Sequence, residues 1–286
     1  MLAKIVKTAA AAMLVAFCSM SLTGCDAPTP APPSGPAGPT ESQAVATPSP
    51  QSVAVDYGLV NRGALTVCAD VPFAPFVIEN PASPSHYSGF DVELIQTVAD
   101  RLGLRLNVVV VDFTSMLSGV AMTSGKCDFA ATAITITEDR KAKIDFSNPY
   151  FDSAQSLMAR DDANVLSLAD LAGKRIGVQT GTTGKTLAAA HAPKNAKIID
   201  YPSDAELWQA LQNGDIDAIV EDFPVTKLHE KTNPDFQVVA TYPTDEQYGF
   251  AFAKGDKPLL LAALNTELAD LRADGTYFKL YGKYFG

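Results

Sequence analysis

The chain has 286 residues, 47% of them hydrophobic and 19% charged, with a net charge of −10 at pH 7. An acidic chain of this kind argues against nucleic-acid binding and against electrostatic adhesion to anionic lipid. The length is enough for one large core or two modest lobes.

Residues 1–24 open with Lys4 and Lys7 and continue in an apolar run from Thr8 to Met20. That run is shorter than the about 20 apolar residues of a membrane-spanning helix, and it has the form of an export signal peptide. It ends in Leu22-Thr23-Gly24-Cys25, which resembles the lipobox of bacterial lipoproteins. The resemblance implies cleavage before Cys25, lipid on its thiol and an extracytoplasmic chain anchored to the cell membrane. Residues 26–51 carry eight prolines among Ala, Ser, Thr and Gly. Such a stretch cannot bury a core, so 25–52 reads as a tether to a globular part starting near Val53. Cys18 leaves with the signal and Cys25 takes the lipid. Cys68 and Cys127 remain as a candidate disulfide. The alternative is two free thiols, since both lie on or beside neighbouring strands and a bridge needs Cα atoms within about 7 Å. Neither has the neighbours of a metal site.

From Leu65 the pattern alternates. LTVCAD predicts a strand. GFDVELIQTVADRLG predicts a helix with Leu94, Ile95, Val98, Ala99 and Leu102 on one face. LNVVVVDF is a strand, Met116–Met122 a short helix, and DFAATA a strand. This order implies a parallel sheet with crossover helices. The same grammar restarts at Gly173: strand KRIGVQ, helix from about Gly184, strand AKIID, helix DAELWQALQNG, strand DAIVED. After Pro258, Leu261, Leu264, Leu268 and Leu271 form a helical apolar stripe, followed by the aromatic GTYFKLYGKYFG. The fold class is α/β, with two units facing across a cleft.

Residues 177–190, GVQTGTTGKTLAAA, look like a phosphate loop. That motif needs a glycine five positions before the Gly of Gly-Lys-Thr, and Gln179 stands there. What survives is a strand, a turn and a helix start, whose free N–H groups attract some anion. Ligands of open α/β sheets sit at the carboxyl ends of strands. Those ends carry Asp70 to Phe76, Phe113, Thr132 to Arg140, Gln179 to Thr183, and Glu221-Asp222. Arg140 and the helix start at Thr183 suit a carboxylate, and Asp222 suits an ammonium. Singly, Arg140 reads as a surface charge and Asp222 as a turn cap. Together they suit a zwitterion.

GFDVEL, ATAITITEDRKAKIDFSNPY, GDIDAIVED, QYGFAF and LRADGTYFKLYGKYFG, in this order, resemble the polar amino-acid-binding proteins of bacterial ABC importers. The similarity covers residues 60–286 and implies the type II periplasmic-binding-protein fold: two lobes, each with a mostly parallel sheet flanked by helices. Lobe 1 would be 53–151 plus 249–286 and lobe 2 155–245, hinged by strands near Phe151–Ala154 and Glu246–Tyr248. By the same resemblance Arg140 pairs with the ligand carboxylate, assisted by Thr183. Thr135 and the backbone at Ala133 lie near the carboxylate and amino groups, Ala133 replacing the Gly or Ser of many members. Asp222 binds the ammonium, Phe73 and Phe113 sandwich the side chain, and Asp70 and Gln179 touch its far end. Asp70 would repel glutamate and Gln179 fits an amide. The expected ligand is therefore glutamine, then arginine, lysine or ornithine, with glutamate retained through Lys185. The expected partner is an ABC permease. The chain would be a monomer that closes on its ligand and works without cofactor, metal or catalysis. The rivals are an amino-acid sensor for a membrane receptor or kinase, and an enzyme that dehydrates small cyclic acids. The enzyme would need an acid or base such as Glu221 or His86. His191 and His229 fall on predicted surface segments.

Overall fold

The computed structural model describes residues 55–286. The expected signal 1–24, the tether 25–52 and Cys25 lie outside the described residues. In chain order the strands are β1 (Ala64–Ala69), β2 (Ile78–Glu79), β3 (Tyr87–Ser88), β4 (Arg105–Val110), β5 (Phe129–Ala130), β6 (Ile144–Phe146), β7 (Phe151–Arg160), β8 (Arg175–Gln179), β9 (Lys197–Tyr201), β10 (Ala218–Asp222), β11 (Phe236–Tyr248) and β12 (Ala251–Ala253). The helices are α1 (Phe90–Arg101), α2 (Phe113–Leu117), α3 (Val120–Thr123), α4 (Glu138–Lys141), α5 (Thr183–His191), α6 (Asp204–Asn213), α7 (Phe223–Thr232), α8 (Pro258–Ala273) and α9 (Thr276–Phe285).

Two five-stranded sheets result, ordered β4-β1-β5-β12-β6 and β11-β7-β10-β8-β9. In the first, β1 runs parallel to β4 and β5. In the second, β8 runs parallel to β9 and β10. The remaining pairings are antiparallel. The expected parallel core is present in each sheet, but half of the pairings are antiparallel because one strand in each sheet, β12 in the first and β7 in the second, runs against its neighbours. Helices cover both faces of each sheet. On the first, α1, α8 and α9 bury Leu94, Ile95, Leu264 and Leu271 on one side, and α2 and α3 bury Met116 and Met122 on the other. On the second, Ala188 of α5 and Leu207 and Leu211 of α6 take opposite sides.

The start of α1 shows how sequence sets this packing. Phe90, Leu94, Ile95, Val98 and Ala99 are buried on one face. Gly89 before them has φ 115°, and a Cβ there would lie 2.2 Å from the Phe76 carbonyl oxygen. Only glycine fits.

Cys68 and Cys127 are bridged, with Cα atoms 5.6 Å apart. The concern over register is resolved by geometry. Cys68 is in register with Ala130, so Cys127 lies in the approach to β5 and not opposite Cys68.

The chain passes between the sheets on β7 and β11, which pair antiparallel from Phe236↔Arg160 to Tyr248↔Phe151. These strands are far longer than the short segments expected. Their register shifts between Tyr242 and Glu246, beside Asp245 at φ 52°. The irregularity locates Glu246 next to the first sheet's loops.

Candidate functional site

The carboxyl ends of β1, β4 and β5 meet those of β8 and β10 around a narrow pocket. All nine ligand positions named from the sequence line it: Asp70, Phe73, Phe113, Ala133, Thr135, Arg140, Gln179, Thr183 and Asp222. Thr132, Thr182, Gly184, Val220 and Glu221 complete the wall. Each named side chain is there for a local reason. Asp70 and Asp222 end or follow strands. Phe113 begins α2 instead of ending β4, because Asp112 caps that helix by accepting from the Ser115 N–H. Arg140 lies on α4, whose cap is Thr137.

Arg140 is buried. Its Nη1 donates to the Thr135 carbonyl at 2.7 Å and its Nη2 to the Gly181 carbonyl at 3.0 Å. Its guanidinium lies 5.5 Å from the Phe113 ring centre. Among the described residues no carboxylate pairs with it within 4 Å. Burial lowers its affinity for its proton, while Asp222 and Glu246 act in the opposite sense. The site therefore presents a desolvated cation held only by carbonyls, which suits an anionic group.

Gly184 explains the Gly-Lys-Thr turn. A Cβ there would meet the Val220 carbonyl oxygen at 2.7 Å, so the first turn of α5 lies directly against β10. Thr183 is thereby brought beside Asp222, and the Gln155 amide donates to both. Lys185, by contrast, pairs with Asp200 at 2.8 Å and does not line the pocket. The route considered for holding glutamate through Lys185 is not present.

Asp222 accepts from Gln155 and from the Tyr248 hydroxyl. Burial raises its pKa to about 6, Glu246 adds to the rise, and the hydrogen bonds and Arg140 oppose it. Asp70 accepts from the Gln179 amide at 2.6 Å. Burial likewise raises its pKa to about 6. Glu246 Oε2 accepts from Thr135 at 2.9 Å on one side, and from Thr183 at 2.9 Å and Gln155 at 3.2 Å on the other. Below the pocket, Asp91 accepts from the Ala133 N–H at 2.8 Å and the Tyr150 hydroxyl at 2.7 Å. This fixes Ala133 in the left-handed region at φ 51°.

The sequence reading missed Gln155 and the side-chain roles of Glu246 and Tyr248. They sit inside strands of the crossing ribbon, where no loop or cap signal marks them. The one available signal was a polar pair, Gln155 and Ser156, opening a buried run that continues to Ala159. Of the proposed catalytic groups, Glu221 lines the pocket, whereas His86 is exposed and elsewhere.

Fold and site define a two-lobed binding protein of the type II periplasmic-binding-protein class. Residues 65–286 match the model of the bacterial extracellular solute-binding proteins, family 3, and the chain belongs to that family. It is 33% identical over 225 residues to a probable histidine-binding protein of Neisseria gonorrhoeae, covering 77% of this chain and 82% of the relative. It is 30% identical to the ABC transporter glutamine-binding protein GlnH of Bacillus subtilis, covering 73% and 76%. Among solved structures, an ancestral arginine-binding protein bound to arginine superposes with TM-score 0.71 at 35% identity, covering 79% of this chain and 99% of that one. An ancestral amino acid-binding protein described as a precursor of cyclohexadienyl dehydratase gives TM-score 0.72 at 35% identity, covering 79% and 96%. The protein is thus an amino-acid-binding component of the ABC-transporter class, and the curated relatives are named as binding proteins, not enzymes.

Proposed function

We propose that the chain captures an amino acid with a cationic side chain and delivers it to an ABC permease, tethered to the membrane by lipid on Cys25. The observation that carries this reading is the charge balance of the pocket. Among the described residues lining it, Arg140 is the one cation, against Asp70 and Asp222. The ligand carboxylate meets Arg140 and the N-terminus of α5, and the α-ammonium meets Asp222. Asp70 is left with Gln179 to meet the far end of the side chain. A guanidinium or ammonium there neutralises Asp70. The amide of glutamine satisfies its hydrogen bond but leaves the buried charge. The weighting therefore moves from glutamine towards arginine, lysine or ornithine.

The β7–β11 ribbon supplies the hinge between a lobe of 53–151 plus 249–286 and a lobe of 155–245. Asp70, Thr135 and Arg140 come from the first lobe, and Gln179, Thr183 and Asp222 from the second. A ligand touching both sets binds the closed form better and shifts the population to it. The test is calorimetric titration of the protein, refolded to strip bound ligand, with the twenty amino acids and ornithine. The expected result is tight binding of one or more cationic amino acids, lost in Arg140→Ala and in Asp222→Asn. Binding of glutamate alone, or of no amino acid, would overturn it.

A further inference from the structure

Behind the pocket wall, three elements bring Asp204, Glu221 and His229 together. Asp204 is the first residue of α6, Glu221 the penultimate residue of β10, and His229 lies on α7. One donor atom from each lies within 4.8 Å of the other two. Asp204 and Glu221 are 4% and 5% exposed. Both Glu221 carboxylate oxygens are buried with no hydrogen-bond donor. His229 Nε2 faces Asp204 Oδ1 at 3.2 Å, and the ring is stacked on Trp208 with centroids 4.2 Å apart. The surface position expected for His229 is therefore corrected: α7 turns it inward, because Trp208 and Phe236 offer an aromatic face there.

Two carboxylates in contact distance accept hydrogen bonds but cannot donate them when ionised. Burying two such groups together without a positive partner is costly. Asp222 and Asp70 add negative potential. We propose that Asp204, Glu221 and His229 form a divalent-metal site, with a preference for zinc. One imidazole and two carboxylates are a zinc-like donor set, and two anions balance the charge of the ion. Donors around tetrahedral zinc stand roughly 3.3 Å apart when bonds are 2.0–2.1 Å. The trio, with its donor atoms within 4.8 Å of one another, would have to draw inward to reach that spacing. Glu221 also lines the amino-acid pocket, whereas Asp204 and His229 do not.

Glu221 is shared by the two sites, and the test keeps them apart. The full chain is freed of metal with a chelator, which is then removed, and zinc chloride is titrated by calorimetry with thermal unfolding in parallel. The expected result is one equivalent of zinc bound with a rise in unfolding temperature, both lost in Glu221→Gln and in His229→Gln. Near-ultraviolet circular dichroism checks that each variant retains its tertiary packing. Cobalt loading of the unaltered protein gives a second readout, a visible absorption band that His229→Gln should abolish. No zinc binding would overturn the proposal and leave a shared proton between Asp204 and Glu221. Binding retained in both variants would overturn it too, by locating the metal elsewhere. Amino-acid titrations in the presence of chelator test the binding-protein reading without metal.

Discussion

Asp70→Asn separates the fold's interest from the ligand's. Asp70 is 8% exposed, and burial lifts its pKa from 3.8 to about 6. At pH 7 the folded protein holds this carboxylate ionised in a place that resists the charge. A rise of about two pKa units corresponds to about 3 kcal/mol at about 1.4 kcal/mol per unit. Asparagine keeps an acceptor for the Gln179 amide and removes the charge. Ligand-free Asp70→Asn should therefore be more stable than the parent at pH 7, by up to about 3 kcal/mol. The same change removes the charged partner of a cationic side chain, a buried hydrogen bond to a charged group worth about 2–3 kcal/mol. Arginine or lysine affinity should fall about 30- to 150-fold. Glutamine, which needs only an acceptor, should lose less than about fivefold. Urea unfolding of the stripped protein and calorimetry with arginine, lysine and glutamine read both effects. Unchanged arginine affinity would refute the assignment of Asp70 to the far end of the ligand. A less stable ligand-free variant would refute the claim that its charge is held against a desolvation penalty.

Other expectations follow from the same geometry. Asp70 and Asp222 both have folded pKa values of about 6, raised above the ordinary carboxylate value. Ligand ammonium and guanidinium groups need the ionised forms. Affinity should be flat above pH 7 and weaken below about pH 6, by up to about tenfold per pH unit for each group. The sign for ligand-free stability is opposite: a raised carboxyl pKa means the folded state holds protons more tightly, so these two contributions favour the fold at low pH and are lost as pH rises from about 4 to about 6. A pH titration by calorimetry, paired with denaturant curves, checks both signs. Glu246→Gln replaces a charged acceptor shared by Thr135, Thr183 and Gln155. It should weaken every amino-acid ligand by a similar factor, about 30-fold for about 2 kcal/mol, without changing their ranking; a changed ranking would show that Glu246 reads the side chain. Cys68→Ala with Cys127→Ala opens a loop closed across a separation of 59 residues. The chain-entropy estimate for such a loop is about 4 kcal/mol of lost stability, and a loss below about 1 kcal/mol would refute it.

Much of this was written in short-range patterns. Where one helix face is buried, as in Leu94, Ile95, Val98 and Ala99, periodicity alone located α1. Where a strand runs into a loop, as at Asp70 and Gln179, the change of composition marked the site. The resemblance to amino-acid-binding proteins then assigned those positions. The parts that were not legible depend on pairing between segments far apart. The antiparallel half of each sheet, the length of β7 and β11 and the inward turn of His229 are decided by residues tens of positions away. Glu246 shows the difference. Its neighbours Asp245 and Gln247 are as polar as it is, and only the register shift opposite Ser153 and Gln155 sets it among three donors. Lys185 shows the converse, a charged residue in a suggestive motif that is claimed by Asp200 on the next strand.

The position of β12 has a consequence for the order in which the molecule becomes competent. Its three residues lie between β5 and β6 in the first sheet, yet they come after every strand of the second. As the chain emerges amino end first, the second sheet has all its strands by Tyr248, while the first still lacks an inner member. Thr135 and Arg140 of α4 lie between β5 and β6, whose shared neighbour arrives only with Ala251–Ala253. The first sheet is thus complete only when Ala251–Ala253 have been made, and a truncation removing only the residues from there onward would disable the half of the site that was made first.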